Sequence, residues 1–343
     1  MPRPGSEPVT SSLASRYAPR SEKPPEHGAA VDPLDRRSSD NIVHVLFCTN
    51  ALFFQHVAVC LTSLLVNNSD LFFDVVIVSR PPEKLDEPKL RQSLAQFSNY
   101  SLIFREFTPP ADQLLPLIPN THYTIDTYTR LWAGEFFPQD VTRVLYLDAD
   151  MVVVGNIGPL WRTDLGTALL GVVDIPGSDR GVAQLRMAET AGYFNAGMLL
   201  INLKQWREKH AVDTVLDYIT LHPERVNYDQ DALNACFHHC RIRLDYKWNV
   251  IWPFYREPLA LPLPRAEIEA IRRDAVIIHF NGGSKPWSYF ADHPRTIEYR
   301  KYLQMTEWRD FVPADRTPMN RLRKGVSAAL PRPVKRLLKR LVG

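Results

Sequence analysis

The sequence predicts an α/β protein built on a parallel sheet, and three observations carry the prediction. Short apolar runs at 42–47, 72–79 and 100–107 alternate with stretches of helical spacing at 56–68 and 83–97. This β-α-β-α-β order is the pattern of a parallel sheet covered on both faces. A later apolar run, "RVLYLDADMVVVG" (143–155), is broken by two aspartates, Asp148 and Asp150. They fall where such sheets bind ligands, at the carboxyl ends of the strands.

Each element has its own signal. "IVHVLF", "FFDVVIVS" and "YSLIFREF" are short and rich in β-branched and aromatic residues, as strands are. Between the first two, Val57, Leu61, Leu64 and Leu65 share one helical face. "EKLDEPKLRQSLAQF" (83–97) is a second helix with a proline near its start. After a Pro-rich loop, "YTRLWAGEFF" (128–137) predicts a helix, 143–155 a strand running into a second extended piece, and "ALLGVVD" (168–174) another strand. "GYFNAGMLLINLKQWRE" (192–208) predicts a strand and the start of a helix, "DQDALNACF" (229–237) a helix, "AVIIHF" (275–280) the last apolar strand, and "NGGSKPW" (281–287) a loop. There is no internal repeat.

The chain has 343 residues, 45% of them apolar, enough for a large core. Residues 1–40 are rich in Pro, Ser and charge, with six acids and six bases, and predict a disordered leader. One domain is expected over 41–312, followed by a basic amphipathic tail over 313–343. From Arg316 onward there are nine Lys and Arg and no acid, whereas the rest carries 32 bases against 38 acids. Apolar residues in that tail (Leu322, Val326, Leu330, Val334, Leu337, Leu338, Leu341, Val342) alternate with bases, and Pro331 and Pro333 interrupt them. This is the composition of an interfacial helix that contacts anionic lipid. A helix docked on the body and a disordered basic end are the alternatives. No apolar stretch reaches the 18 residues of a membrane span. The four cysteines are too few for a disulfide framework at this size and suit a reducing compartment. "CFHHC" (236–240) fits no zinc-ligand spacing.

Two nearby carboxylates repel, and a divalent cation relieves the repulsion. Mg²⁺ or Mn²⁺ held by oxygen commonly takes phosphate oxygens as well. Asp-x-Asp after an apolar strand occurs in the haloacid dehalogenase-like phosphatases, where Asp148 would be a nucleophile, and in nucleotide-sugar transferases. In the phosphatases the motif usually opens the domain. Here three strand–helix units precede it.

Four separated stretches, "YTRLWAGEFFPQDVTRVLYLDADMVVVGNIGPLW", "YFNAGMLLINLKQWRE", "NYDQDALN" and "HFNGGSKPW", resemble glycosyltransferase family 8, the bacterial lipopolysaccharide galactosyl- and glucosyltransferases related to glycogenin. The resemblance runs from about Ile42 to Trp287. It implies a single Rossmann-like GT-A domain with a mixed, mostly parallel sheet, a UDP-glucose or UDP-galactose donor, Mn²⁺ (or Mg²⁺), and retention at the anomeric carbon. Residue by residue, it implies that Asp148, Asp150 and His279 bind the metal. Arg130, Ala149, Asn195, Ala196, Asp174, Gly282 and Lys285 match donor-site positions, as does Asp148. Asp229 would bind the transferred sugar, with Gln230 beside the anomeric carbon and Asp231 nearby as a third catalytic candidate.

One place departs from the family. Where its first strand usually ends in acids, this chain reads "CTNALF" (48–53), leaving Thr49 and Asn50 to meet the nucleobase. The expected function is transfer of a hexose to a glycan or glycolipid acceptor of the lipopolysaccharide type. The expected place is the cytoplasm, peripheral on a bacterial inner membrane, with no nucleic-acid partner. A non-catalytic scaffold binding nucleotide-sugar or membrane is the remaining alternative.

Overall fold

The structure is a computed structural model that describes residues 41–114 and 125–329, all within one compact unit, Arg36–Gly343. The predicted leader and residues 330–343 of the predicted tail lie outside the described residues.

Strands β1 (Ile42–Cys48), β2 (Phe72–Ser79) and β3 (Tyr100–Glu106) run parallel, joined by helices α1 (Phe54–Val66) and α2 (Glu87–Leu94). A short helix α3 (Ala111–Leu114) and a 3₁₀ segment (Ile125–Glu135) lead to β4 (Arg143–Leu147), which pairs parallel with β1. The chain then leaves this sheet as β5 (Met151–Val153), passes α4 (Gly158–Trp161), and returns as β6 (Leu170–Asp174). Helix α5 (Asp179–Gln184) precedes β7 (Phe194–Asn202), which is antiparallel to both β4 and β6. Helices α6 (Leu203–Glu208), α7 (Ala211–Leu221) and α8 (Asp229–Phe237) follow, then β8 (Arg241–Arg243), parallel to β6. The remainder is β9 (Val250–Ile251), α9 (Arg265–Arg273), β10 (Ile277–His279), α10 (Thr296–Leu303) and α11 (Pro318–Ala329). The large sheet has the order β3-β2-β1-β4-β7-β6-β8 and the small one β5-β10-β9. The fold is therefore α/β, with a mixed, mostly parallel central sheet and a second small sheet packed against α1.

The pleat sorts side chains between two cores. Leu145 and Leu147 of β4 join α1 on one face, while Val144 and Tyr146 join Trp132 and Trp206 on the other. Twelve of the thirteen residues of α1 are buried, not the single face that its spacing suggests. The helix lies between the sheets: Val59 belongs to the core around β9 and β10, and Val57 and Leu61 to the core of the large sheet.

Helix α2 begins at Glu87 because the Asp86 carboxylate caps it, accepting from Lys89 N at 3.2 Å. The predicted helix at 128–137 is instead a 3₁₀ segment with a kink at Trp132. Its carbonyls are taken by side chains rather than by amides four residues on. Arg130 Nε donates to Thr127 O (2.8 Å), the Trp206 indole to Leu131 O (2.9 Å) and Arg207 Nε to Gly134 O (2.9 Å). Asn234 clamps α8 to β7, accepting from Phe194 N (2.8 Å) and donating to Phe194 O (2.9 Å).

Part of the predicted tail is described. Helix α11 touches the body through Lys324 Nζ, which donates to Tyr289 O at 2.5 Å, and leaves Met319 and Leu322 exposed. Among the described residues no helix is long and apolar enough to cross a membrane, and all four cysteines are free.

Candidate active site

The carboxyl ends of β1, β4 and β10, the start of β7 and the start of α8 surround a cavity of about 340 Å³. Each element contributes polar groups at or just beyond its terminus.

At one wall, β4 stops at Leu147 and β5 begins at Met151, so Asp148–Ala149–Asp150 form a turn between sheets. Backbone bonds fix both ends of it, Asp148 N to Gly197 O (2.8 Å) and Phe280 N to Asp150 O (2.9 Å). Ligand atoms of Asp148, Asp150 and His279 lie within 4.8 Å of one another. His279 Nε2 is 3.1 Å from Asp150 Oδ1 and 3.8 Å from Asp148 Oδ2. Two carboxylates and an imidazole nitrogen suit a divalent cation such as Mn²⁺. A side chain at Gly197 would collide with His279 Cε1 and come within 2.7 Å of Asp148 Oδ2. Glycine is thus required beside the triad. Lys285 Nζ donates to Asp150 Oδ2 (2.6 Å) and Phe280 O (2.8 Å). Burial alone would raise the pKa of Asp150, but His279 and Lys285 outweigh it and hold the carboxyl well below its usual range.

At the opposite wall Arg130 is buried between two acids. Its NH1 is 3.3 Å from Asp148 Oδ1, its Nε is 2.9 Å from Asp229 Oδ2, and its guanidinium lies 4.6 Å from the Tyr146 ring centre. Tyr146 OH donates to Asp148 Oδ1 at 2.6 Å. Burial opposes the charge of Arg130, and Asp148 and Asp229 more than restore it. Arg130 Nε directs its proton at Thr127 O, so Asp229 Oδ2 is held by charge and has no hydrogen-bond donor of its own. Burial, opposed by Arg130, raises the Asp229 pKa to about 6. Gln230 follows on the same wall. Its Oε1 accepts from Asn195 Nδ2 (3.1 Å) and Ala196 N (3.0 Å).

At the third wall the "CTNALF" loop contributes Thr49, Asn50 and Phe53. Here the structure adds a residue that sequence reading missed. Asp126 lines the cavity, accepting from Asn50 Nδ2 at 3.1 Å and from Arg80 Nε at 3.3 Å. The acid absent from the loop is matched by one from a segment 76 positions away. No local spacing signals it.

The cavity thus brings together Thr49, Asn50, Arg130, Asp148, Ala149, Asp150, Asn195, Ala196, Asp229, Gln230, His279 and Lys285 from the sequence-predicted set. Three predicted residues sit elsewhere. The Asp231 carboxylate turns away to accept from Tyr193 OH (2.5 Å) and from Asn227 N (2.9 Å) and Nδ2 (3.1 Å). Asp174 is paired with Arg241 (2.5 Å) and Arg243 (3.1 Å), and its neighbour Ile175 meets the cavity in its place. Gly282 is not on the cavity wall, and a side chain there would come within 3.1 Å of the Trp252 ring.

The pattern of the family described as Glycosyl transferase family 8 matches residues 44–291, most of the chain. The chain belongs to that family. It is a glycosyltransferase with the GT-A fold, and its Asp-x-Asp is the transferases' motif, not the phosphatases'. The family member is 27% identical over 282 residues to lipopolysaccharide 1,2-glucosyltransferase of Escherichia coli (strain K12), covering 81% of this chain and 82% of that one. It is 26% identical over 277 residues to general stress protein A of Bacillus subtilis (strain 168), covering 78% and 96%. Among solved structures it resembles galactosyltransferase LgtC in complex with donor and acceptor sugar analogs, with a TM-score of 0.67, 24% identity, and 80% and 98% of the two chains covered.

Proposed function

We propose that this family 8 enzyme transfers glucose or galactose, with retention, from a UDP-sugar to a hydroxyl of a glycan or glycolipid of the lipopolysaccharide type. One observation supports the reading above others. A cation site, Asp148–Asp150–His279, and an acid–amide pair, Asp229–Gln230, face the same cavity and are bridged by Arg130. Diphosphate and sugar need those two kinds of group side by side.

The residues take separate tasks. Asp148, Asp150 and His279 hold Mn²⁺ (or Mg²⁺), which when bound offsets the charge that develops on the departing phosphate. Lys285, 2.6 Å from Asp150, stands ready to share that charge. Asp229, on the cavity wall beside Gln230, offers a carboxylate to a sugar hydroxyl. The sugar leaves through an oxocarbenium-like state. Gln230 is an amide and forms no stable ester, and Asp231 points away from the cavity. The route that suits this wall is attack from the leaving-group face. The bond from the anomeric carbon to the phosphate oxygen breaks, the acceptor oxygen bonds to that carbon, and the acceptor's proton passes to the released phosphate.

The exposed Met319 and Leu322, interleaved with Arg321, Arg323 and Lys324, support a peripheral contact with anionic lipid. It supports our reading of the enzyme as peripheral on the cytoplasmic side of a bacterial inner membrane, where a glycolipid acceptor would be available.

Calorimetric titration with UDP, with and without Mn²⁺, tests the core of this reading. UDP should bind only with the metal, and Asp150→Ala should abolish binding. Absence of UDP binding with any divalent ion would overturn the donor assignment.

A further inference from the structure

Behind the cavity wall a chain of buried amides connects the sugar-facing Gln230 to the metal-facing His279. The backbone N–H of Ala196 can only donate, and it points at Gln230 Oε1 from 3.0 Å. The other end of that side chain, Nε2, donates to Tyr193 OH at 3.1 Å, and Tyr193 donates onward to Asp231. Gln230 Oε1 also accepts from Asn195 Nδ2 at 3.1 Å. The N–H of Gly197 in turn points at Asn195 Oδ1 from 3.1 Å, so that atom is the oxygen. Asn249 Nδ2 donates to the same oxygen at 2.9 Å. What Asn249 then presents to His279 Nδ1, 3.0 Å away, is its own Oδ1.

The polarity of this chain is fixed at each step. It does not depend on choosing amide orientations one by one, because two backbone amides and a carboxylate set them. Its consequence falls on His279. With a carbonyl oxygen facing Nδ1, that nitrogen keeps its proton, so it is Nε2, turned towards Asp148 and Asp150, that is free to give up its proton and offer a lone pair to a bound cation. Asn249 is wholly buried, 0% exposed, and is not on the cavity wall, so it touches neither donor nor acceptor.

We propose that Asn249 is a positioning residue that holds His279 in its Nδ1–H form for the metal, and that its own orientation is set from the sugar site through Asn195 and Gln230. The cation site and the sugar site are then parts of one hydrogen-bonded unit. This inference rests on the metal reading of Asp148, Asp150 and His279.

The test measures Mn²⁺ binding, without donor, by electron paramagnetic resonance for the wild type, Asn249→Leu and Asn249→Asp, each checked by circular dichroism. Asn249→Leu leaves His279 Nδ1 without an acceptor and should weaken Mn²⁺ about 10- to 100-fold, the usual cost of losing such a partner. Asn249→Asp still accepts from Nδ1–H and should restore affinity to within a few-fold. It cannot donate to Asn195, so its kcat should stay depressed while its Mn²⁺ affinity recovers. Wild-type affinity in Asn249→Leu, or an Asn249→Asp that is folded but binds as weakly as the Leu variant, would overturn the proposal. A wild type that binds no Mn²⁺ would instead remove the metal reading beneath it. Should the variants not fold, nitrogen-15 spectra of the wild type loaded with diamagnetic Mg²⁺ decide. They should show a slowly exchanging proton on His279 Nδ1, and a bare Nδ1 would overturn the assignment.

Discussion

Arg130 and Asp229 form a buried ion pair, Nε to Oδ2 at 2.9 Å, in which the nitrogen's proton belongs to Thr127 O and the attraction is one of charge alone. The same guanidinium is 3.3 Å from Asp148. One cation therefore serves an acid of the proposed metal site and an acid of the proposed sugar site. Removing one partner of a buried pair leaves the other charge uncompensated, which costs about 3–5 kcal/mol. Arg130→Met should lower the urea midpoint accordingly and abolish transfer. Arg130→Lys keeps the charge but cannot span both acids and donate to Ala196 O, a contact of 2.6 Å in the native protein. It should lose at least about tenfold in kcat/KM, one power of ten for each 1.4 kcal/mol of lost transition-state binding, with a smaller loss of stability. Equal kcat/KM for the Lys variant would show that a point charge suffices.

The Asp229 carboxyl, raised to about 6 by burial, gives the enzyme an acid limb. Below that pH it is protonated, loses its charge on Arg130 and offers the sugar a weaker acceptor. The rate should fall on the acid side with an apparent pKa near 6, and Asp229→Asn should be slow at every pH with that limb gone. Stability carries the opposite sign. The folded pKa lies above the unfolded value of 3.8, so the native state binds the proton first, and this group favours folding more as pH falls from about 6 towards 4. A pH–rate profile and a set of urea melts on the Asn variant separate the two effects.

Asp126 offers a test of the proposed uridine donor. Its carboxylate, held by Asn50 and Arg80, faces the part of the cavity formed by the altered "CTNALF" loop. A carboxylate accepts the imide N–H of uracil and repels the bare ring nitrogen that cytosine presents there. A hydrogen bond to a charged group is worth about 1.5–3 kcal/mol, so UDP should bind roughly 10- to 100-fold more tightly than CDP. Asp126→Asn, whose amide can serve either base, should shrink that ratio towards one without changing Mn²⁺ affinity. The competition is readily measured by calorimetry with the two diphosphates. A ratio that does not move would assign the discrimination to Asn50 or Thr49.

These cases also show what sequence can carry. The strand–helix units and the Asp148–Asp150 turn were legible because they depend on local spacing, and α8 falls on 229–237 as its pattern predicts. The 3₁₀ segment at 125–135 was not. Its kink depends on Trp206 and Arg207, whose side chains take its carbonyls from more than 70 positions away. Asp231 shared a motif with Asp229 and Gln230, but successive residues on a helix point in different directions, and Tyr193 supplied it with another partner. Asp174 was likewise drawn off by Arg241 on the neighbouring strand. Asp126 and Asn249 had no motif to mark them. Each acts through a contact that exists only once distant segments meet.

The loop carrying Lys285 is anchored by an aromatic stack, and the stack makes a prediction about acid. The Trp287 ring lies on His56 at 3.5 Å between centroids and 13° between planes, and His56 Nδ1 is 2.6 Å from Tyr299 OH. Burial drives the His56 pKa down to about 3, with Asp150 opposing and Lys285 assisting the shift. The folded protein therefore keeps this ring neutral, while the unfolded chain takes up a proton near 6.5. Its contribution to stability is complete above pH 6.5 and drains away as pH falls towards 3. The slope approaches about 1.4 kcal/mol per pH unit for one such group. His56→Phe keeps a ring against Trp287 but cannot titrate, so its stability should fall less steeply than the wild type's between pH 6 and 4, as thermal melts across that range would show. Trp287→Ala removes the stack itself. Lys285 is then held only by its own bonds to Asp150 and Phe280 O, and the KM for the donor should rise about tenfold, since each 1.4 kcal/mol of lost positioning is one power of ten. An unchanged KM would mean that the Lys285–Asp150 contact, not the ring on α1, fixes the loop.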